Sequence, residues 1–567
     1  VADALAEAHL RRWNNLYTDL SLWLPTWQDI TELCLPRKSN ITLRRTPGRT
    51  QTERMTDATA AHAIELLSAS MQGSLTSGSI RWFYYRIRGL AYGKNVDTDQ
   101  WLEITSNMSY DELKQSNFNS EAHEFYTDLA SVGTAAMFIE RKDPRLGAPW
   151  QGVRFKTLPP GTFAIDESED GIVDTLYYKF AFTARQAAEK YTISKLPDVM
   201  KRHLLSGQDP DRKFDFVNAI YPKKDKWADA RGGQVTSKEW ASLHFSIDEP
   251  TVMKESGYEE FPFAVGRWTK SSDEKYGRSP AFTVLADVKT LNKLVELKLR
   301  ALANKVLPPM KQRDNGVLGS IKLYPGGGTI VRDMDAVQPL FTDQGGVEAG
   351  MLQEEKLQAA IRRGFFADQL QLQEGPQMTA YEVQVRYELM QRILGPTLGR
   401  LEVEFLEPVI TRVYKMLERA KRLPEPTVWM KEQKAKFDVE YEGPLQRAQR
   451  LGDVVSTQRF LQVALPLAEL DDEVVDNLDS DKLFRLLGRD TGASPTIFRS
   501  EEDRDARRQA RREQMAQQNA QVQQNEQMKA AGGGANMLKA LVSAQEAGIL
   551  PQGGASGQGA VTTGVGR

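Results

Sequence analysis

A single cysteine, Cys34, in 567 residues excludes an internal disulfide framework and any structural zinc site built on several thiolates. Such sparse use fits a reducing compartment. The five histidines, His9, His62, His123, His203 and His244, are scattered over different segments without ligand spacing, and read as surface or satisfied core residues. No charge of one sign dominates: 74 Lys and Arg stand against 76 Asp and Glu, a net charge of -2, so no global positive field is available to wrap nucleic acid. Nowhere do about 18 uncharged apolar residues run together, and VADALAEAHLRRWNNLY places charges and amides where a signal core would be apolar. The expectation is a chain neither secreted by that route nor membrane-spanning. GxxxxGK[ST], GxGxxG after a strand, HExxH, GxSxG and CxxC are all missing, and with them the phosphate cradle, metal site or nucleophile each would supply.

What is present is patterned. Leu5, Leu10, Trp13, Leu16, Tyr17 and Leu20 recur at helical spacing up to Pro25, and a shorter helix is expected over Trp27 to Leu35. Cys34, inside ITELCLP, reads as a small buried hydrophobe. After the basic loop PRKSNITLRRTPGRT (36–50), helix is expected over 51–72, with Met55, Ile64, Leu67 and Met71 inward, and again from Asp99, with interruptions, towards Leu129. From Ala135 the period changes to that of strands: AAMFIE, GVRFKTL, TFAID, GIVDTLYYKFAFT and FPFAVGRWT. Thr183 and Gln186 of TARQ form a capping box, and KKDKWADARGGQ (223–234) reads as a hairpin loop. The fold class is α+β, with one body over roughly the first 270 residues.

The second half is different. Leu285, Val288, Leu291, Val295, Leu299 and Leu302 make one apolar stripe on a helix over 279–306, about 42 Å long at 1.5 Å per residue. Pro308 and Pro309 stop it. Short strand candidates (VLGSIKLYP, TIVRDM) flank a GGG turn in a segment too small to be stable alone, and helix returns over 347–366. Thr379 and Glu382 would cap a helix to about 423, bent at Pro396 and Pro408. FDVEY (437–441) reads as a strand, and 445 to about 488 as helical. Residues 501–529 favour helix yet hold almost no large apolar side chain, so they cannot bury themselves. After Gly532–Gly534, a short amphipathic piece with Met537, Leu538, Leu541 and Leu550 precedes a disordered end.

Asp166, Glu167, Glu169, Asp170 and Asp174 are the nearest approach to a metal cluster. A local acidic turn is the simpler reading, and a metal-dependent nuclease or protease is the enzymatic alternative. Basic residues gather in KSNITLRRTPGR, in KKDK and along 293–313, either as solvated or intersubunit faces or as transient phosphate contacts. Interleaved aromatics are sparse there, so base stacking is not indicated.

YGRSPAFTVLADVKTLNKL (276–294), AAIRRGFFAD (359–368), MTAYEVQVRYELMQRILGPTLGRLEVEFLEP (378–408) and FDVEYEGPLQRAQR (437–450) occur in an order that resembles the portal, or head-to-tail connector, proteins of short-tailed, T7-like bacteriophages. The resemblance implies a portal-like fold: a wing from 1–278 and 424–500, stem helices at 279–306 and 347–366, and a clip at 307–346. It further implies a tunnel loop at 367–378, a long wing helix at 379–423 and a crown or barrel helix with a disordered tail at 501–567. It implies rings of about twelve subunits around a channel for double-stranded DNA at one capsid vertex, assembled in the host cytoplasm. Expected partners are the terminase that hydrolyses ATP, tail adaptors at the clip, and major capsid and scaffold or internal core proteins. No membrane, metal, cofactor or catalytic residue is implied. Gln369, Gln371, Gln373, Glu374 and Gln377 would face DNA. EEDRDARRQARRE sets five acids against five bases, so Glu501, Glu502, Arg504, Arg507, Arg508, Arg511 and Arg512 would pair between subunits. A structural ring or scaffold component without a DNA channel is the alternative within this class.

Overall fold

The computed structural model describes residues 4–42, 48, 52–78, 81–87, 96–142, 149–205, 209, 211–223, 238–306, 310–312, 330, 337–339, 346–370, 394–433, 437–441, 454–464, 479–490 and 501–546. The chain divides into one compact unit over Val1–Ala91 and Thr98–Ala493, and a second over Tyr92–Asp97 and Ser494–Arg567.

In the first unit, helices α1 (Ala4–Ser21) and α2 (Leu24–Cys34) follow the expected pattern, except that Pro25 opens α2 rather than preceding it. The first turn of a helix needs no N–H from that position. Helix α3 (Thr59–Leu75) starts later than its apolar period suggests, because the Asp57 carboxylate caps the Thr59 amide at 2.8 Å and residues 52–57 are occupied elsewhere. The interrupted helix is α4 (Val96–Gln115) and α5 (Phe118–Val132).

Strand β1 (Phe83–Ile87), not foreseen from the sequence, pairs with a strand more than 350 residues on, as described below. Strands β2 (Thr134–Arg141), β3 (Val153–Thr157), β4 (Phe163–Glu167) and β5 (Val173–Thr183) match the expected runs. Thr183 then caps α6 (Ala184–Lys190): its hydroxyl accepts from the Gln186 amide at 3.2 Å, and the Gln186 side chain accepts from the Thr183 amide at 3.0 Å. Helix α7 (Asp198–Leu205) leads to β6 (Lys213–Pro222), β7 (Trp240–Ser246), β8 (Val252–Tyr258) and β9 (Phe263–Arg267). Antiparallel pairing of β6 with β7 ends at Pro222 and Trp240, the two sides of the expected hairpin; residues 224–237 lie outside the described set.

Two sheets result, one ordered β3-β2-β9 and one a meander β4-β5-β6-β7-β8. Strand β2 lies between two cores. Ala135, Met137 and Ile139 pack with the helices, while Ala136 and Phe138 pack with the meander and α1. A strand buried on both faces reads as a continuous apolar run, which is why AAMFI does not alternate.

The remaining elements are α8 (Pro280–Val306), β10 (Met310–Gln312), β11 (Val337–Pro339), α9 (Gly346–Gly364), the single turn α10 (Ala367–Leu370), a long helix α11 (394–419), α12 (Val428–Gln433), β12 (Phe437–Tyr441), α13 (454–464) and α14 (Ser480–Asp490). Strand β12 is the distant partner of β1, from Phe83 opposite Tyr441 to Ile87 opposite Phe437. In the excursion after α8 the described strands are β10 and β11, antiparallel to each other; VLGSIKLYP and TIVRDM fall outside the described residues. So do 379–393, with Thr379 and Glu382. In the second unit, α15 (Glu501–Glu546) runs through Gly532–Gly534. The break expected there does not form: three glycines cost roughly 1 kcal/mol each relative to alanine, and the Ala-, Met- and Leu-containing flanks carry the helix across.

Candidate assembly surfaces

Helices α8 and α9 form an antiparallel pair rooted in the helical core. At the root, Gly133 ends α5 in the left-handed region (φ 84°), and a Cβ there would stand 2.6 Å from the Gly277 carbonyl oxygen. Only glycine permits this approach, and it brings the start of α8 against the end of α5. The Thr134 hydroxyl accepts from the Gly277 amide at 2.8 Å. Within the pair, Ala281, Val284, Val288, Leu291 and Val295 of α8 are buried with Leu357 and Ile361 of α9 and with Phe365 just past its end. At Gly364 an added Cβ would lie 2.1 Å from Val284 Cγ1, so the glycine sets the closest approach of the two helices.

A polar strap holds the pair midway. The Asn292 side-chain oxygen accepts from the amides of Thr56 (2.6 Å) and Asp57 (3.1 Å), while the Thr56 hydroxyl donates to the Asn292 carbonyl at 2.7 Å. Gln358 of α9 donates to Asp57 at 2.9 Å, and Lys289 of α8 pairs with Asp29 of α2 at 2.6 Å. Asn292 is 6% exposed, so its amide is a buried polar group satisfied wholly by these contacts and by donation to the Val288 carbonyl.

Beyond Val295 the stripe leaves the core. Of the six residues expected to pack, Val288, Leu291 and Val295 are buried, and Leu285 is half-buried against the core. Leu302 is half-buried, whereas Leu299 is 54% exposed. The buried core of this chain ends before the apolar stripe does. Leu297 of α8 and Met351 and Leu352 of α9 are also about half exposed, and the Lys298–Glu354 ion pair bridges the helices between them.

At the other end of α9, Phe366 adopts φ 60°, a conformation rare for an aromatic residue, and turns the chain into α10. Gln369, on α10, is exposed; Gln371, Gln373, Glu374 and Gln377 lie outside the described residues. Helix α11 consists of 394–401, a π turn at Glu402–Leu406 and a regular stretch Glu407–Arg419. Where bends are expected at Pro396 and Pro408, the helix runs on through both, and before Pro408 it forms a π turn, since proline rejects the carbonyl four residues back, here that of Glu404. The π turn aims the Glu404 carboxylate at Arg267, which is 2% exposed. Glu404 accepts from the Arg267 amide at 3.0 Å and from its guanidinium at 2.6 Å, and the same guanidinium reaches Glu167 and the Gly171 carbonyl. Phe405, next in the turn, stacks on Phe125 with centroids 3.9 Å apart.

In the separate second unit, the described α15 side chains from 503 to 525 are exposed apart from Arg504, which is half-buried and bonds Asp505 at 2.9 Å. Arg507, Arg508, Arg511 and Arg512 are all exposed; the side chains of Glu501 and Glu502 are outside the described set. Over the described stretch 503–525 these side chains form no buried apolar face.

The family model described as bacteriophage head to tail connecting protein matches residues 6–498. The chain belongs to that family. It is 28% identical over 505 residues to a probable portal protein of Bordetella phage BPP-1, covering 86% of this chain and 88% of that one. It is 23% identical over 508 residues to the portal protein of Salmonella phage epsilon15, covering 88% and 89%.

In this connector chain two acids of the run at 166–174, Asp166 and Glu167, are spent on ion pairs, and Asp174 accepts from the Thr175 hydroxyl at 3.0 Å. Glu167 binds Arg267 and Lys270, and Asp166 binds Lys275 at 3.0 Å and Arg12 at 3.6 Å; Glu169 and Asp170 are exposed at the turn. Among the described residues no group of three or more His, Cys, Asp or Glu is arranged to hold a metal, and no helix is long and apolar enough to cross a membrane. His9 and His244 are buried against tyrosine hydroxyls, Tyr177 at 2.7 Å and Tyr191 at 2.9 Å. Burial, then Lys190 and Lys254, pushes the His244 imidazole down to about 3. His123 meets Gln72 and His203 meets Arg212, both at 3.1 Å. Cys34 is fully buried, and burial pushes its thiol up to about 12. Sequence reasoning missed Arg267, Glu404 and Asn292. A lone charged residue ending FAVGR and a lone amide inside a leucine stripe were the available signals.

Proposed function

We propose that this chain is the subunit of a portal ring of about twelve copies at one capsid vertex, a conduit for double-stranded DNA during packaging and ejection. Its role is structural and not enzymatic: the ring guides DNA, and a separate terminase supplies ATP hydrolysis. In this reading α8 and α9 are the stem, the segment between them is the clip that receives tail adaptors, and 367–378 is the tunnel loop. Helix α15 contributes one stave of a helical barrel, its Glu501, Glu502, Arg504, Arg507, Arg508, Arg511 and Arg512 paired across subunits. Capsid and scaffold or internal core proteins contact the wing.

The observation that carries the reading, given the family, is the distal half of the α8–α9 pair. Leu297, Leu299, Met351 and Leu352 are each about half exposed on a paired-helix surface, where a lone chain leaves them in water. Burying each against a neighbour is worth roughly 1 kcal/mol or more, repeated at every interface of a closed ring. The near-neutral chain suits the task, since a strongly basic bore would hold DNA through many released counterions. Electron microscopy of the purified protein tests it. End-on views are expected to show a closed ring with an axial opening wide enough for a duplex of about 20 Å; monomers at every concentration, or a ring without an opening, would refute it.

A further inference from the structure

A cluster of lysines on the meander side of the molecule has no role in the reading above. On β5, Tyr178, Phe180 and Phe182 share one face by strand alternation. The Lys190 ammonium, at the end of α6, sits over these rings, 4.8 Å from the centroid of Phe182, 5.4 Å from Phe180 and 5.9 Å from Tyr191. Lys254 stands opposite His244 in the β7–β8 pair, and His244 contacts both Tyr191 and Phe180. Lys156 stands opposite Phe138 in the β2–β3 pair, and Phe138 contacts Tyr178. Arg154, one pleat along on the same face, is paired with Glu140.

Lys156, Lys190 and Lys254 are therefore brought round one aromatic floor from three different elements, and all three are exposed residues. None has a salt-bridge partner among the described residues, and Glu140, whose field reaches Lys190, is already engaged by Arg154. Burial of the ammonium against the rings, together with Lys254, Lys156 and Arg154, holds Lys190 below the usual lysine range against the pull of Glu140. Like charges gathered without a salt-bridge partner of their own raise the free energy of the isolated chain, more than the field of the already engaged Glu140 offsets, and an anion that neutralises them recovers it.

We propose that Lys156, Lys190 and Lys254, with the aromatic floor between them, form a docking surface for a short acidic segment of a partner protein. A duplex backbone fits less well. It presents charge along a cylinder every 1.7 Å or so, which calls for a long stripe of cations, whereas these three surround one aromatic patch whose field also includes the Glu140 carboxylate. Separate Asp and Glu side chains on a flexible segment reach each lysine individually and leave the Glu140–Arg154 pair intact. The half-buried rings of Phe180 and Phe182 offer apolar contact to the same segment, and Lys190 already spans them as a cation–π bridge.

Fluorescence anisotropy of a labelled hexaglutamate peptide with the purified full chain tests this, with a 20-base-pair duplex as competitor. Saturable binding is expected at about 50 mM salt, weakening as the Debye length shortens. K156Q/K190Q/K254Q is expected to lose about tenfold or more in affinity at unchanged circular dichroism, and the triple arginine variant to keep it. K254Q alone, on an exposed strand position, should show an intermediate loss and guards against misfolding of the triple variant. Equal binding by parent and variant, no saturable binding, or tighter binding of the duplex at the lysines would overturn the proposal. So would dissociation of an assembled ring in the variant, which would make the patch a contact between copies.

Discussion

Replacing Gly364 by alanine sets helix propensity against space. Gly364 is the last residue of α9, where alanine is favoured over glycine by up to the interior value of about 1 kcal/mol, so a solvent-facing glycine there would give a variant at least as stable as the parent. The new Cβ, however, would lie 2.1 Å from Val284 Cγ1. Valine cannot swing away cheaply, because branching at Cβ leaves it one strongly preferred rotamer in a helix, and Val284 is itself only 4% exposed. The two helices must separate or Val284 must leave its rotamer, an overpacking cost of about 1–3 kcal/mol. We expect G364A to lose about 1 kcal/mol net. V284A alone leaves a cavity and costs about 2 kcal/mol. In the V284A background the alanine at 364 fits and its propensity gain is realised, so the double variant should be more stable than V284A by about 1 kcal/mol, a coupling of about 2 kcal/mol. Urea midpoints and hydrogen exchange of the α9 amides measure all four corners of the cycle. An additive cycle, or a G364A protein as stable as the parent, would refute the close-packing argument.

Three further outcomes are expected. Lys421, two residues past the end of α11, holds φ 53°, with the Lys421 amide donating to the Glu418 carbonyl at 2.9 Å and the Arg422 amide to the Leu417 carbonyl at 3.0 Å; K421G, which removes the left-handed penalty, should slow exchange of the last-turn amides and add up to about 1 kcal/mol. R267A strands Glu167 and Glu404 beside a cavity and should cost about 3 kcal/mol, whereas R267K, lacking the fork, should restore less than half; unchanged urea midpoints would contradict this. Burial, opposed by Lys38 at 2.5 Å, pushes the Asp128 carboxyl up to about 6. The folded state then holds a proton that the unfolded state releases near pH 4, so this group's contribution falls as pH rises from about 4 to 6 and is level above. D128N should gain about 3 kcal/mol relative to the parent across that window, read from urea midpoints at pH 4 to 7, and parallel pH curves would exclude it.

Much of the fold could be read along the chain because it depends on local period. The α8 stripe, the strands from β2 to β5, the Thr183–Gln186 capping box and the burial of Cys34 all follow from residues within a few positions of one another. A local period also says that a helix has an apolar side without saying how far the core extends along it. Leu291 and Leu299 share one stripe, yet Leu291 is buried while Leu299 is about half exposed.

The acidic run at 166–174 shows the same division from the polar side. Its composition alone left a metal site and a turn both open, and the choice lay with Arg12, Lys270, Lys275 and Arg267, which arrive from distant segments. Glu404 meets Arg267 only because a π turn rotates one carboxylate out of an otherwise regular helical pattern. The sequence by itself determined the class of elements, the apolar faces and the absence of nucleotide-binding and thiolate-metal motifs, since these are properties of spacing. Tertiary structure alone decided that β1 pairs with β12, that Asn292 straps the helix pair to residues 56 and 57, and that Lys190 lies over the rings of Phe180 and Phe182. Those contacts join residues tens to hundreds of positions apart, and no short-range period encodes which distant backbone or charge will close against a given one.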